Sequence, residues 1–368
     1  MMNAIWIMTV GSLVAAACAL PGVFLVLRGS AMTSDAISHS ILFGIVGGYL
    51  LLNVESTSPV LILTAAASGV LTVWLVELLT QTGKIPNDAA IGLVFPVLFS
   101  IGVVLINTRL RDVHIDIDTV LLGSIAFAPI NTMGVLGARI PEGVLIMGSI
   151  LVANVILMLL FYKELKITTF DPGLAASIGI APALIHYGLM TMVSLTAVGS
   201  FEHVGAILVV ALMIAPPATA FLLTERLDHM IGLSVGIGVL GAVSGYWISR
   251  YFGVNISGMM ATMTGVFYLL ALVFAPTRGL LARRIEAVQR RKRFAVEMLL
   301  VHLSQHEGTA AEASESTFAH LTGELEWSER FAERTVQRAS ARGLLERAAG
   351  QLRLTSAGRE QAQAVLSR

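Results

Sequence analysis

Asp35 and His39 stand four residues apart at the start of an apolar run, AMTSDAISHSILFGIVGGYL, residues 31–50. On a helix, positions i and i+4 lie on one face about one turn apart, so the spacing predicts that carboxylate and imidazole share a surface. A run of this length can enter a bilayer, where an Asp costs roughly 2.5–3.5 kcal/mol at mid-membrane on insertion scales. A divalent cation in a polar pathway would offset that cost. A carboxylate oxygen with an imidazole nitrogen suits Mn²⁺, Fe²⁺ or Zn²⁺ better than Ca²⁺ or Mg²⁺. Two ligands are too few, so a second copy or a related subunit must complete such a site. The competing readings are a structural Asp–His hydrogen bond and a helix N-cap at Ser34 or Asp35. Spacing alone leaves all of these open.

Two further stretches carry mechanical rather than ligating chemistry. In FYKELKITTFDPGLAASIGIAPALI, residues 161–185, Thr168, Thr169 and Asp171 precede Pro172, a cap-then-proline helix start. A short helix containing Ala175 is predicted to end near Gly179. Such a helix between two spans is either a docking element for another subunit or an ordinary connection. In VGAILVVALMIAPPATAFLLTERL, residues 204–227, Pro216 and Pro217 interrupt an apolar run. A double proline breaks or kinks a helix and frees carbonyls at membrane depth, as a pathway or gating helix requires. It also serves packing alone. HIDID (114–118) and the Glu202–His203 turn are weaker cation candidates, read as solvated loops. His186 and His302 have no sequence partner and receive no role.

The elements that must position these residues follow from composition. The chain has 368 residues, 55% hydrophobic and 13% charged, with mean hydropathy +0.80. A soluble domain carries about 25% charged residues, so the composition is that of an integral membrane protein. Apolar stretches of spanning length fall at about 4–27, 32–52, 58–81, 87–107, 143–162, 183–199, 204–222, 229–248 and 256–276. Eight to nine spans are expected, with a retained first span, a long connection at 108–142, and small residues that let helices approach closely. In the nine-span reading Arg28, Lys84, Lys163, Lys166, Arg226, Arg278, Arg283, Arg284 and the 290–293 run fall on one side, against Arg109, Arg111, Arg139 and Arg250 on the other. That bias places the C-terminus in the cytoplasm and the N-terminus outside. The lone cysteine, Cys18, excludes a disulfide framework and a thiolate metal site. Charge becomes dense after residue 278, which marks a boundary between a permease-like part, 1–280, and a soluble tail, 290–368.

The segments SDAISHSILFG, FDPGLAASIG and VGAILVVALMIAPPATAFLLTERL occur in this order, and over roughly 1–280 the chain resembles the permease subunits of bacterial ABC metal importers (the ABC-3 family). The family often has Pro after the Leu of the first motif, where Phe43 stands here. The resemblance implies that Asp35 and His39 line the transport path and coordinate the ion. It implies that the segment Asp171–Gly179, with Pro172 and Ala175, couples to a separate ATPase, and that Pro216 and Pro217 sit on the pathway helix. It further implies partners: an ABC ATPase that binds ATP, a solute-binding lipoprotein, a second permease copy or paralogue, and membrane lipid. No GxxxxGK[ST] loop is present, in keeping with ATP binding elsewhere. Manganese is the expected cargo, with zinc or iron as alternatives; no permanently bound cofactor and no enzymatic activity are expected. The implied location is the bacterial inner membrane, multi-pass.

The tail reads as helix, polar linker, two helices, a strand with a turn, and a closing helix. It resembles the winged-helix domain of DtxR-like metalloregulators. The expected fold is therefore an all-α polytopic membrane protein followed by a small α+β winged-helix domain. Arg330, Arg334, Arg338 and Arg342 recur on one face, but Glu329 and Glu333 interleave, so nucleic acid is not expected as a partner. That family's metal ligands cluster beyond the winged helix, so no metal site is expected in the tail. The alternatives to an importer permease are a membrane-anchored metal-responsive transcriptional regulator and a proton-coupled secondary metal transporter.

Overall fold

Inside a bilayer the backbone can satisfy its N–H and C=O groups only internally, so each long apolar run folds as a helix. A computed structural model describes residues 2–52, 59–109, 123, 125–130, 132–135, 138–323, 326–348 and 350–367. Among them, nine helices are long and apolar enough to cross a membrane. They are α1 (Met2–Leu27), α2 (Met32–Leu52), α3 (Pro59–Thr80), α4 (Asn87–Arg109), α5 (Glu142–Leu160) and, after the short α6 (Tyr162–Phe170) and α7 (Pro172–Ser177), α8 (Pro182–Val204), α9 (Ala206–Leu223), α10 (Leu227–Phe252) and α11 (Ile256–Phe274). The chain is a mostly helical, multi-pass membrane protein. It divides into two units, Met1–Gly279 and Leu280–Arg368.

In the first unit α1 is the central helix. Val10, Val14, Ala17, Cys18, Val23 and Phe24 are fully buried, and α1 packs against α5, α8, α9 and α10. Cys18 is a packing residue whose Sγ lies 3.8 Å from Ser200 Oγ. Helices α2, α3 and α4 pack on one another around Ala36, Val76, Ile91, Val94 and Leu98. The run at 183–222 is two helices joined at Gly205 alone. In the long connection, a 3-10 turn at Ile125–Phe127 precedes an antiparallel hairpin of β1 (Thr132–Val135) and β2 (Ala138–Pro141), with Thr132 opposite Pro141.

The second unit has its own core. It comprises α12 (Leu280–His306), the short α13 (Glu312–Glu315) and α14 (Phe318–Gly323), α15 (Glu329–Ala341), a hairpin of β3 (Leu345–Ala348) and β4 (Gln351–Leu354), and α16 (Ser356–Leu366). Val296, Leu299, Leu300 and Leu303 recur at helical spacing on α12 and bury against Leu321, Val336, Leu345 and Leu352. Thr355 caps α16 by accepting from Gly358 N, and Arg359 reaches Glu307 with a 2.7 Å contact. Two features differ from the sequence reading: α12 begins as early as Leu280, and the polar linker contains the helical turn α13.

Candidate functional site

Helix α2 begins at Met32, so Asp35 falls inside its first turn, where the helix dipole favours a negative charge. Ser34 does not cap the helix; its Oγ donates to Ala31 O at 2.8 Å. Ser38 and Ser40 donate likewise to Ser34 O and Ile37 O, which satisfies hydroxyls in a buried environment. The adjoining face, which carries Asp35 and His39, is not closed. Asp35 Oδ1 and His39 Nε2 lie 3.5 Å apart, with side chains 34% and 37% exposed.

Packing from both sides holds this face. Gly44 and Gly48 of α2 meet α3 so closely that added Cβ atoms would stand 2.6 Å from Thr64 O and 2.2 Å from Thr64 Oγ1. This G-x-x-x-G contact is the small-residue route to close helix approach, and Ser68 Oγ donates across it to Ser40 O at 3.0 Å. On the other side α4 supplies Phe95, stacked on the His39 ring at 5.3 Å, and Phe99, edge-on at 6.1 Å. Helix α2 runs unbroken through Phe43. The result is a carboxylate and an imidazole in adjoining positions on an oriented, aromatic-flanked face. Among the described residues, no third His, Cys, Asp or Glu joins them within ligating reach.

The connection expected at 163–171 is itself helical. Helix α5 ends at Leu160, Phe161 separates it from α6, and Asp171 separates α6 from α7. Asp171 Oδ1 accepts from Leu174 N at 2.9 Å, and Pro172 occupies the first helical turn. At the other end Ile180 N bonds Ala175 O and Gly179 N bonds Ala176 O, a Schellman closure with Gly179 at φ +88°. Ala175 is buried, while Phe170, Leu174 and Ile178 at four-residue spacing are 61%, 51% and 57% exposed. A short helix capped at both ends thus carries exposed Leu174, with exposed Phe170 and Ile178 just before and just after it.

Pro216 and Pro217 lie buried inside α9, which continues through them to Leu223. Pro217 has no N–H, so the carbonyl of Met213 loses its helical donor. That carbonyl faces Gly22 of α1: a Cβ there would stand 2.2 Å from Met213 O. The freed carbonyl is therefore covered by a glycine backbone, and α1 and α9 touch at that point.

One polar group of residues escaped the sequence reading. Arg28, just past α1, donates from Nη2 to Thr168 Oγ1 at 2.9 Å and from Nε to Thr169 Oγ1 at 3.1 Å. Its Nη1 lies 3.3 Å from His186 Nδ1. The other ring nitrogen, Nε2, stands 3.0 Å from Glu77 Oε1, and Tyr187 Oη donates to Glu77 Oε2. These contacts fix the imidazole with its proton on Nε2 and join the ends of α1, α3 and α8 to α6. The signal in the sequence was Glu77 and His186 inside apolar runs, where ionisable groups need partners; their separation in the chain hid which. His203 also departs from expectation: with Glu202 it lies in the last turn of α8, and its Nε2 is buried. HIDID (114–118) lies outside the described residues. In the second unit, His302 stands beside His306, His320 and Glu315, although the sequence predicts no metal site there. Burial, with His306 and His320 alongside, pushes His302 below the ordinary histidine range.

The model of the "ABC 3 transport family" matches residues 1–275. "Zinc transport system membrane protein TroD" of Treponema pallidum is 44% identical over 360 residues, 98% of this chain and 98% of that protein. "Manganese transport system membrane protein MntD" of Bacillus subtilis is 48% identical over 288 residues, 78% of this chain and 97% of that protein. Similarity to TroD thus runs into the second unit, whereas that to MntD covers little beyond the first. Among solved structures, "PsaBC from Streptococcus pneumoniae in complex with Fab" is similar with a TM-score of 0.61 and 28% identity, over 74% of this chain and 92% of that one. With the helical bundle and its ordered segments, the family match and these relatives lead to one conclusion: the chain belongs to the ABC 3 transport family, as a membrane permease subunit and not an enzyme.

Proposed function

We propose that this permease carries divalent metal ions inward in an ATP-driven importer, with Asp35 and His39 as ligands in the path. The observation that carries the reading is the one-turn carboxylate–imidazole pair at 3.5 Å, about one-third exposed on a packed helix and flanked by Phe95 and Phe99. Carboxylate and neutral imidazole together accept Mn²⁺, Zn²⁺ or Fe²⁺. The names of the relatives, zinc for TroD and manganese for MntD, fall within that set; manganese is the first choice and zinc the next. Two protein ligands leave the coordination sphere open, so a second permease, a copy or a paralogue, supplies the facing pair.

A solute-binding lipoprotein delivers the ion to the outer mouth. Movement comes from a separate ATPase docked around α7 through Phe170 at the end of α6, Leu174 of α7 and Ile178 just after it, with Asp171, Pro172, Ala175 and Gly179 shaping the helix; the capping of α7 and these exposed apolar side chains support this role. Pro216 and Pro217 belong to a helix that moves against α1 at Gly22 as access alternates. The membrane is the bacterial inner membrane, with the second unit in the cytoplasm, a placement supported by the basic residues at 283–293. The order of four helices, two of them short, then a hairpin and a closing helix in that unit supports a winged-helix type of module, acting through protein contact rather than DNA.

The test is uptake of radiolabelled manganese and zinc by cells or proteoliposomes holding the permease, its ATPase and the binding protein. Uptake should require ATP and fall to background in His39→Ala and Asp35→Ala variants that still assemble with the ATPase. Full uptake by an assembled His39→Ala variant removes the proposed ligand role. Uptake by this chain alone, driven by a proton gradient, removes the ATP-driven one.

A further inference from the structure

We propose that the second unit carries a divalent-cation site formed by His302, His306, His320 and Glu315. Helix α12 presents His302 and His306 one turn apart near its end, with ring centroids 4.8 Å apart. Glu315 closes α13, and α14 supplies His320, whose ring stacks on His302 at 5.0 Å. All three Nε2 atoms converge on one oxygen: Glu315 Oε2 lies 2.6 Å from His320, 3.5 Å from His302 and 3.9 Å from His306. The ligand atoms of His302, His306 and Glu315 fall within 4.8 Å of one another. The site is sheltered, with His320 9% and His302 15% exposed.

A purely structural hydrogen-bond cluster explains this poorly. One carboxylate oxygen satisfies His320, but His302 Nε2 is buried without a hydrogen-bond partner. A buried, unpaired nitrogen is costly, whereas a cation placed among the three rings would use its lone pair. Three imidazoles and one carboxylate form a four-ligand set of the zinc class, to which Co²⁺ and Ni²⁺ also bind; Mg²⁺ and Ca²⁺ prefer oxygen. Bonding at about 2.0–2.2 Å would draw His302, His306 and Glu315 inward from their present spacing, with His320 joining through its place beside Glu315. An ion there would tie the end of α12 to α13 and α14. The site shares no residue with Asp35 and His39 and does not depend on the transport reading.

The experiment uses the full chain in detergent, stripped with chelator. Zinc stoichiometry is measured by equilibrium dialysis and geometry by the visible absorption of bound Co²⁺, for wild type, His302→Gln/His306→Gln and Asp35→Asn/His39→Gln. The first double variant should bind one zinc fewer per chain and lose the four-coordinate cobalt bands; the second, which removes the proposed transport-path ligands, should keep those bands. Because the variants could misfold, wild-type chain is also labelled at histidine with diethyl pyrocarbonate, with and without zinc, and read by mass spectrometry. Zinc should protect His302, His306 and His320 but not the exposed His229. Unchanged zinc stoichiometry and cobalt spectrum in a folded His302→Gln/His306→Gln variant, or unchanged labelling of all three histidines, overturns the proposal.

Discussion

Replacing Gly22 by Ala should destabilise the bundle although it adds a single methyl to a helix. The new Cβ would stand 2.2 Å from Met213 O and 3.1 Å from Pro217 Cγ. Ordinary contact begins at 3.4 Å, so α1 and α9 must separate locally by 3.4 − 2.2 = 1.2 Å. The obstructing atom is main chain within a helix and cannot rotate away as a side chain would. Overpacking of this kind costs about 1–3 kcal/mol. A Gly→Ala change in a helix otherwise gains roughly 0.5–1 kcal/mol. The net expectation is a loss of about 0–2.5 kcal/mol, centred near 1 kcal/mol, which is a factor of roughly 5 in the folded ratio. Gly236→Ala in α10 provides the control, since nothing lies within 4 Å of its Cβ position; it should be neutral or stabilising. The assay is thermal inactivation of the detergent-solubilised chain, followed by size-exclusion chromatography, beside metal uptake. Equal stability of Gly22→Ala and wild type, or a parallel shift in both variants, would refute the claim that α1 and α9 meet at the freed carbonyl.

Other outcomes follow from the same geometry. Leu174→Glu, at an exposed position on α7, should leave the chain folded but lower co-purification with the ATPase and ATP-dependent uptake; undiminished capture argues against α7 as the docking edge. Arg28→Ala should lower thermal stability by about 1–3 kcal/mol by removing the donor shared by Thr168, Thr169 and His186. Arg28→Lys should not restore it, because a single ammonium cannot reproduce the planar fork. In the second unit the Arg359 guanidinium holds the Glu307 carboxyl below its usual range. Such a depressed group contributes stability above the unfolded carboxylate value, about 4.3, and loses it as pH falls through the lower folded value. Thermal melts of wild type and Arg359→Gln should therefore differ at neutral pH and converge in acid; a gap that widens as pH falls contradicts the pairing.

The sequence by itself determined the features whose physics is local. Apolar runs of spanning length must become helices because a bilayer offers their backbone no other partner. Asp35 and His39 share a face because a helix repeats within one turn, and Asp171 caps α7 because its side chain reaches an amide three residues on. The ordered motifs then tied these features to one transport family. Only the tertiary structure decided which distant groups meet. Arg28 and His186 are 158 residues apart and join through Thr168, Thr169 and Glu77 only when α1, α3, α6 and α8 pack. Gly22 has meaning only beneath Met213, and Phe95 only against His39. His302 showed nothing in sequence because its neighbours Glu315 and His320 arrive from two later helices. Periodicity and capping act over one helical turn; contacts between helices depend on how whole surfaces fit, and no single stretch of chain encodes that.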